Sequence, residues 1–138
     1  HPLNLDSIIF RFELPESKWT RVIYSPVGSY LMPKYMYSGN YNQKGVAGLL
    51  KDGGRARHAE AKRIAEEIGG TLEAYYWAYG STDFFMIMDV PSESLAIKLS
   101  LRVGASGVFS GNLTPLISVE QMEEAITAEL PEMTLPGE

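Results

Sequence analysis

The chain has no cysteine and only two histidines, His1 and His58. The absence of cysteine excludes disulfides, thiolate metal ligands and a thiol nucleophile. No apolar run approaches the ~20 residues that cross a bilayer, and the first residues lack the basic and apolar regions of a secretory signal. We therefore expect a cytoplasmic protein with no membrane partner, no metal and no cofactor.

Positive charge is also scarce, because twelve basic side chains against seventeen acidic ones give a formal net charge of −5. Such a field repels phosphate backbones unless the basic residues gather on one face. One group of basic residues stands out, and it comprises Lys51, Arg55, Arg57, Lys62 and Arg63. Because Glu60, Glu66 and Glu67 are interleaved with it, this group indicates a solvated amphipathic helix, and we expect no nucleic-acid partner.

The length and composition are those of one globular domain. The chain has 138 residues, 45% of them hydrophobic, which is enough for one core and too little for two ordinary domains. Residues 32–130 show a regular pattern that begins at Met32-Pro33, which resembles a natural protein start. Residues 1–31 do not match it and are predicted to be an extension, either native or acquired from a tag or upstream translation. Residues 131–138 are predicted to be a tail.

Residues 69–89 predict a β-hairpin around which the rest of the domain is arranged. The runs 71–77 and 84–89 are rich in aromatic and apolar residues that fit a half-buried strand. Gly80, Thr82 and Asp83 lie between the runs, and glycine and small polar residues accept the unusual dihedrals of turns. Two further strands are predicted at residues 35–41, from alternating polarity, and at residues 108–116.

Helical periodicity and capping residues delimit the remaining segments. Helices are predicted at residues 43–68 with a break at 52–54, at residues 93–104 and at residues 119–130. Asn42 is a predicted N-cap, and Ser118 forms a predicted capping box with Gln121. The order from residue 35 is therefore strand, helix, strand, strand, helix, strand and an extra C-terminal helix. This is the βαββαβ order of an α+β, ferredoxin-like fold with a four-stranded antiparallel sheet and both helices on one face.

The other face of the sheet also carries apolar residues. In the run 84–89, Phe84, Met86 and Met88 alternate with Phe85 and Ile87, so both faces of that strand are apolar. A monomer rarely exposes such a surface. We therefore expect a homodimer or larger homo-oligomer in which a second subunit covers the open face.

Several segments resemble one known family. The resemblance rests on residues 57–70 (RHAEAKRIAEEIGG), on Tyr75-Tyr76-Trp77, on Gly80-x-x-Asp83 before an apolar strand and on Ser106-Gly107. These segments look like the GYD-domain family, which is named for a Gly-Tyr-Asp signature, and the likeness covers residues 33–126. It implies the fold of the dimeric α/β-barrel, ferredoxin-like proteins, and the family is largely without an assigned activity.

The chain departs from that family pattern in two places. Thr82 takes the position of the signature tyrosine, which removes a ring and a phenol from the turn. Ser110, Gly111 and Asn112 take the place of a polar or charged Arg-Thr-Glu-like run on the last strand. The charged groups of that run are therefore missing here.

A candidate ligand site is predicted on the open face of the sheet. Strict alternation through residues 71–77 places Glu73, Tyr75 and Trp77 on the same face as Phe85 and Ile87. The predicted ligand-binding residues are Tyr37, Glu73, Tyr75, Trp77, Phe85 and Ile87. Aromatic side chains with polar tips suit small-molecule pockets, and the same residue types also occur in subunit interfaces.

Candidates for acid–base chemistry are few. His58 is the only internal histidine, and Glu73 or Asp83 are candidate groups to orient it, although a structural role is the commoner one for such a residue. Glu73 and Asp89 are predicted to lie close together at the open end of the hairpin. They form either a carboxylate pair that shares a proton or ordinary surface charges.

Three functions follow from these residues. The first is a small homo-oligomeric protein that binds a small, partly apolar or aromatic ligand between its sheet and helices or between subunits. The second is a cofactor-independent enzyme of the dimeric-barrel type, an isomerase or a monooxygenase-like activity, with His58 as the acid or base. The third is a structural or interaction module.

Overall fold

The computed structural model describes residues 32–138, and the predicted extension over residues 1–31 lies outside this range. The elements in chain order are β1 (Lys34–Tyr41), α1 (Gln43–Asp52), α2 (Gly54–Glu67), β2 (Thr71–Trp77), β3 (Phe84–Asp89), α3 (Glu93–Ala105), β4 (Phe109–Leu116) and α4 (Val119–Thr127). Every strand and helix that the sequence predicts for residues 32–138 is present.

The four strands form one antiparallel sheet in the order β2-β3-β1-β4. The two β-α-β connections place the first and third strands in chain order side by side at the centre, as in a ferredoxin-like fold. The predicted α+β class and sheet are therefore confirmed. The sheet directs one face toward the helices, and the other face carries Tyr76 and Phe85, which are 70% and 36% exposed.

The helix boundaries follow the capping residues of the sequence. The side chain of Asn42 accepts a hydrogen bond from the Gly45 amide, and Ser118 and Gln121 form the predicted capping box. Gly53 adopts a φ of 88°, which is outside the helical region and separates α1 from α2. Glycine suits this position because residues with a Cβ rarely take this conformation. The helix predicted at residues 93–104 ends one residue later than expected. It continues past Gly104 to Ala105, and the positive φ falls at Gly107.

A β-bulge in β2 changes the predicted assignment of its faces. The pairing with β3 shifts by one residue between Leu72 and Ala74, so Tyr75 is paired with Met86 and Trp77 with Phe84. Paired residues of neighbouring strands point to the same side of a sheet, and an extra residue reverses the alternation. The prediction that Tyr75 and Trp77 share the open face is therefore wrong.

The core lies between the sheet and the helices. Tyr35, Met88, Val90 and Ala96 form its fully buried centre, and Phe84 is buried nearby with 1% of its surface exposed. Gly39 and Gly111 are paired where β1 meets β4. A Cβ on Gly111 would lie 2.8 Å from the Tyr37 hydroxyl, so the glycine gives this ring room to pack on the sheet.

Candidate functional site

A cleft lies between α2 and α3 within residues 32–138, with the sheet as its floor. Its volume is about 740 Å³. The floor consists of Tyr37, Tyr75, Phe84, Met86, Phe109 and Leu113. Ala61 and Ile64 of α2 form one wall, and Leu99 and Val103 of α3 form the other. Apolar side chains therefore line most of the cleft.

Phe84 is the centre of the aromatic floor. Its ring centroid lies 5.1 Å from that of Tyr41, 5.8 Å from that of Phe109, 6.1 Å from that of Tyr37 and 6.4 Å from that of Tyr75. These separations are typical of favourable ring pairs. The floor is therefore a cluster of rings from all four strands, fixed by mutual contact.

Two phenol groups add polar atoms to this floor. Burial raises the pKa of Tyr37, and burial together with hydrogen bonding to Tyr41 raises the pKa of Tyr75, whereas the charge of Arg57 opposes the second change. Burial disfavours the phenolate because a charged group loses its hydration. Both tyrosines therefore stay protonated to higher pH than exposed phenols, and the Tyr75 hydroxyl is already hydrogen-bonded to Tyr41.

Arg57 stands at one end of the cleft, in the first turns of α2. Its guanidinium carbon lies 5.8 Å from the centroid of the Phe109 ring, a cation–π distance. Its Nε is buried and makes no hydrogen bond within the described part of the chain. Glu60 lies one turn further along α2 and is bound by Arg63 at 2.7 and 2.9 Å.

Trp77 lines a second, smaller pocket. This pocket has a volume of about 400 Å³ and also contacts Tyr41, Leu49, Gly54 and Asp83. The indole Nε1 donates a hydrogen bond of 3.0 Å to the Tyr41 hydroxyl, and the indole packs on the Tyr75 ring at 4.5 Å. Trp77 therefore does not line the cleft itself, but it contacts Tyr75 of the cleft floor and Tyr41, whose ring packs on Phe84.

The predicted ligand-binding residues other than Glu73 fall in three places. Tyr37 and Tyr75 lie in the cleft, and Trp77 lies in the adjacent pocket. Phe85 and Ile87 lie on the open face, where they are paired with Ser38 and Met36 of β1. The expectation of one continuous wall is wrong, because the bulge in β2 turns Tyr75 and Trp77 to the opposite side from Phe85.

Glu73 and Asp89 lie close together as predicted, and both form ion pairs with the same lysine. Lys34 of β1 forms ion pairs with Glu73 and, at 2.9 Å, with Asp89. Desolvation lowers the pKa of Lys34, yet the hydrogen bonds to Glu73 and Asp89 outweigh it and raise the pKa above its ordinary value. This geometry favours the surface-charge interpretation over a carboxylate pair that shares a proton.

His58 lies on the exposed side of α2, and its ring centroid is 5.9 Å from that of Tyr75. The two carboxylates that were candidates to orient it are engaged elsewhere. Glu73 binds Lys34, and the Asp83 carboxylate accepts a hydrogen bond from the Tyr41 amide. The predicted pairing of His58 with either carboxylate is therefore wrong.

The turn between β2 and β3 is held by hydrogen bonds to β1. The Asp83 carboxylate accepts from the Tyr41 amide at 2.9 Å, and the Asp83 amide donates to the Gly39 carbonyl at 3.0 Å. Gly80 is exposed and does not adopt a positive φ, so the expected unusual dihedral is absent there. Thr82 is half-buried. Among the turn residues Gly80, Thr82 and Asp83, Asp83 is the one whose hydrogen bonds hold the turn to β1.

Sequence reasoning missed Arg57, Phe84 and Phe109 as site residues. Arg57 was assigned to a solvated helix face, although residues 57, 61, 64 and 68 recur at helical spacing and share one side of α2. That periodicity was the available signal. No local pattern indicates that Phe109 and Phe84 meet, because they come from different strands.

Neither a cluster of metal-ligating side chains nor a membrane-spanning helix occurs within residues 32–138. No cluster of three or more histidine, aspartate or glutamate side chains in this range is arranged to hold a metal ion. None of the helices in the same range is long and apolar enough to cross a membrane.

The fold and the site define an α+β, ferredoxin-like domain with a ligand-sized, aromatic-floored cleft between its sheet and its helices. The profile of the GYD domain matches residues 35–126. Because this match spans more than half of the chain, the protein belongs to the GYD-domain family, and the predicted resemblance is confirmed. Comparisons with curated proteins and with solved structures give no significant match.

Proposed function

We propose that this protein binds a small, largely apolar and aromatic ligand in the cleft between α2, α3 and the sheet. The observation that carries the proposal is the cleft itself. Its volume of about 740 Å³ lies within the ~300–1,000 Å³ typical of ligand pockets. Tyr37 and Tyr75 supply polar atoms within apolar surroundings, which is the usual composition of a small-molecule site.

The contrast between the two faces of α2 allows a direct test with a neutral probe, 2-naphthalenemethanol. Ala61 lines the cleft, whereas Ala59 lies on the exposed side of the same helix. Ala61→Phe fills the cleft and is expected to weaken binding about tenfold or more, because the probe loses the apolar surface it would cover. Isothermal titration calorimetry measures the affinity, and Ala59→Phe is the matched control with unchanged binding.

Tryptophan emission provides a second readout of the same event. Trp77 packs on Tyr75, so a ligand against Tyr75 changes the surroundings of the indole. The response should persist in Trp19→Phe and disappear in Trp77→Phe. If 2-naphthalenemethanol neither binds nor raises the melting temperature, the proposal that the cleft takes apolar aromatic ligands is contradicted, since binding to the native state would stabilise it.

We also propose that the protein is a homodimer of the dimeric α/β-barrel type. The open face carries Met36, Tyr76, Phe85 and Ile87, and Tyr76 has 70% of its surface exposed. The apolar stripe of α4 is exposed as well, with Val119 at 74%. Exposed apolar surface of this kind marks interaction sites. A second copy that packs sheet against sheet would cover the open face.

Phe85→Asp is expected to separate this dimer into monomers. The substitution places a charge at the centre of the open face, and the desolvation of an unpaired carboxylate opposes association. Sedimentation at micromolar concentration measures the change, with Glu120→Gln on the exposed side of α4's first turn as a conservative control. A wild-type monomer would contradict the proposal and would leave residues 1–31 as the remaining cover for this face.

The other two functions stay predictions of the sequence. His58 does not line the cleft and lacks the carboxylate partners considered for it, so the geometry adds no support to an isomerase or monooxygenase-like reaction. The cytoplasmic location likewise stays a prediction. The ligand-binding proposal is preferred over a purely structural module because such a module does not require an open cleft.

A further inference from the structure

The mouth of the cleft carries a charge imbalance that apolar binding does not explain. Arg57, Lys98 and Arg102 are among its lining residues, and Glu60 is the single acidic residue of that lining. Hydrogen bonds from Arg63 lower the pKa of Glu60, and the charge of Arg57 contributes less to this change. Because three basic side chains face one acidic side chain in this lining, the mouth is positive on a chain whose net charge is −5.

Arg57 is the basic residue of this group with a buried, unused donor. Its Nε makes no hydrogen bond within residues 32–138, although it is shielded from solvent. Buried polar groups in native proteins are almost always hydrogen-bonded, so an exception calls for a partner. Contact with Phe109 positions the guanidinium beside the aromatic floor, and its charge acts on the Tyr75 hydroxyl.

We propose, building on the cleft function above, that the ligand is an aromatic carboxylate whose carboxylate is bound by Arg57. The planar guanidinium presents parallel N–H donors that match a carboxylate. The ring of the ligand would then lie over the floor formed by Tyr75, Phe84 and Phe109, where aromatic contact is available. Lys98 and Arg102 at the mouth attract the anion without having to contact it.

A carboxylate fits these observations better than a phosphate. Only Arg57 among the basic lining residues has a buried donor without an acceptor, whereas a phosphate dianion requires several donors. Beyond Arg57 the floor of the cleft is mostly apolar and aromatic, so a dianion seated there would lose its hydration for few compensating hydrogen bonds. A single negative charge on an aromatic body matches both the donor and the floor.

The experiment compares 2-naphthoate with 2-naphthalenemethanol, which has nearly the same shape and no charge. Calorimetry at one ionic strength should show that the acid binds about tenfold more tightly or better to the wild-type protein. Arg57→Met keeps an unbranched side chain on α2 and should abolish this preference, because it weakens binding of the acid much more than binding of the alcohol. Arg55→Met, an exposed arginine on the same helix, should leave the preference unchanged.

The outcomes separate this inference from the function on which it rests. Equal binding of acid and alcohol to the wild-type protein overturns the carboxylate inference and leaves the cleft function standing. A preference that survives in Arg57→Met overturns the role of Arg57. Absence of binding by both compounds overturns the cleft function and the inference together.

Discussion

Replacing Phe84 with alanine is expected to lower the free energy of unfolding by about 3–5 kcal/mol. Phe84 is 1% exposed and contacts rings from each of the other three strands. Its removal takes away the apolar contact area and leaves a cavity that these rings cannot fill, because the strands hold their positions. Urea unfolding followed by circular dichroism measures the loss.

Phe85 provides a matched control because it is the next residue and the same amino acid. It is 36% exposed and lies on the open face, paired with Ser38 of β1. Phe85→Ala should cost about 1 kcal/mol or less at concentrations where the chain is monomeric. If a second copy covers this face, the cost should grow with protein concentration, whereas that of Phe84→Ala should not. Equal costs for both variants in the monomer would contradict the assignment of the two faces.

Asp83→Ala is expected to lower the free energy of unfolding by about 1.5–3 kcal/mol, the usual contribution of a hydrogen bond to a charged group. The Asp83 carboxylate accepts the Tyr41 amide at 2.9 Å, and this half-buried donor would lose its acceptor. Tyr41 is hydrogen-bonded to Trp77 and Tyr75, so the loss of the Asp83–Tyr41 hydrogen bond should also disturb the packing in both pockets. Denaturant titration and tryptophan emission measure the two effects.

Two variants of the same turn test the explanation. Gly80→Ala should change stability by no more than about 0.5 kcal/mol, because no heavy atom lies within 4 Å of an added Cβ and the backbone has no positive φ there. Asp83→Asn retains an acceptor oxygen and should cost less than Asp83→Ala. A large loss in Gly80→Ala with none in Asp83→Ala would reverse the roles assigned to these two signature residues.

The fold of residues 32–138 could be predicted from the sequence because its signals are local. Asn42 and Ser118 cap helices with their own side chains, and Gly53 breaks a helix through its own φ. The alternation in β1 likewise depends only on neighbours along the chain. These features do not depend on which segments meet in space, so the order of helices and strands could be predicted from the sequence.

The site could be predicted only in part. Tyr37 and Tyr75 were identified from their residue type, and both lie in the cleft. Phe85 and Ile87 were assigned to the same wall because strict alternation through β2 was assumed. One extra residue near Ala74 reverses the alternation that follows it, and no composition signal marks the position of that bulge.

The sequence by itself determined the elements, their order and the family, because hydrogen bonding within helices and turns depends on residues close in the chain. Only the tertiary structure decided which rings share a face and that α2 and α3 leave a cleft between them. It also brought Arg57 beside Phe109, about fifty residues away in the chain. Such contacts depend on strand register and helix separation, which are properties of the assembled sheet and are not encoded at either residue.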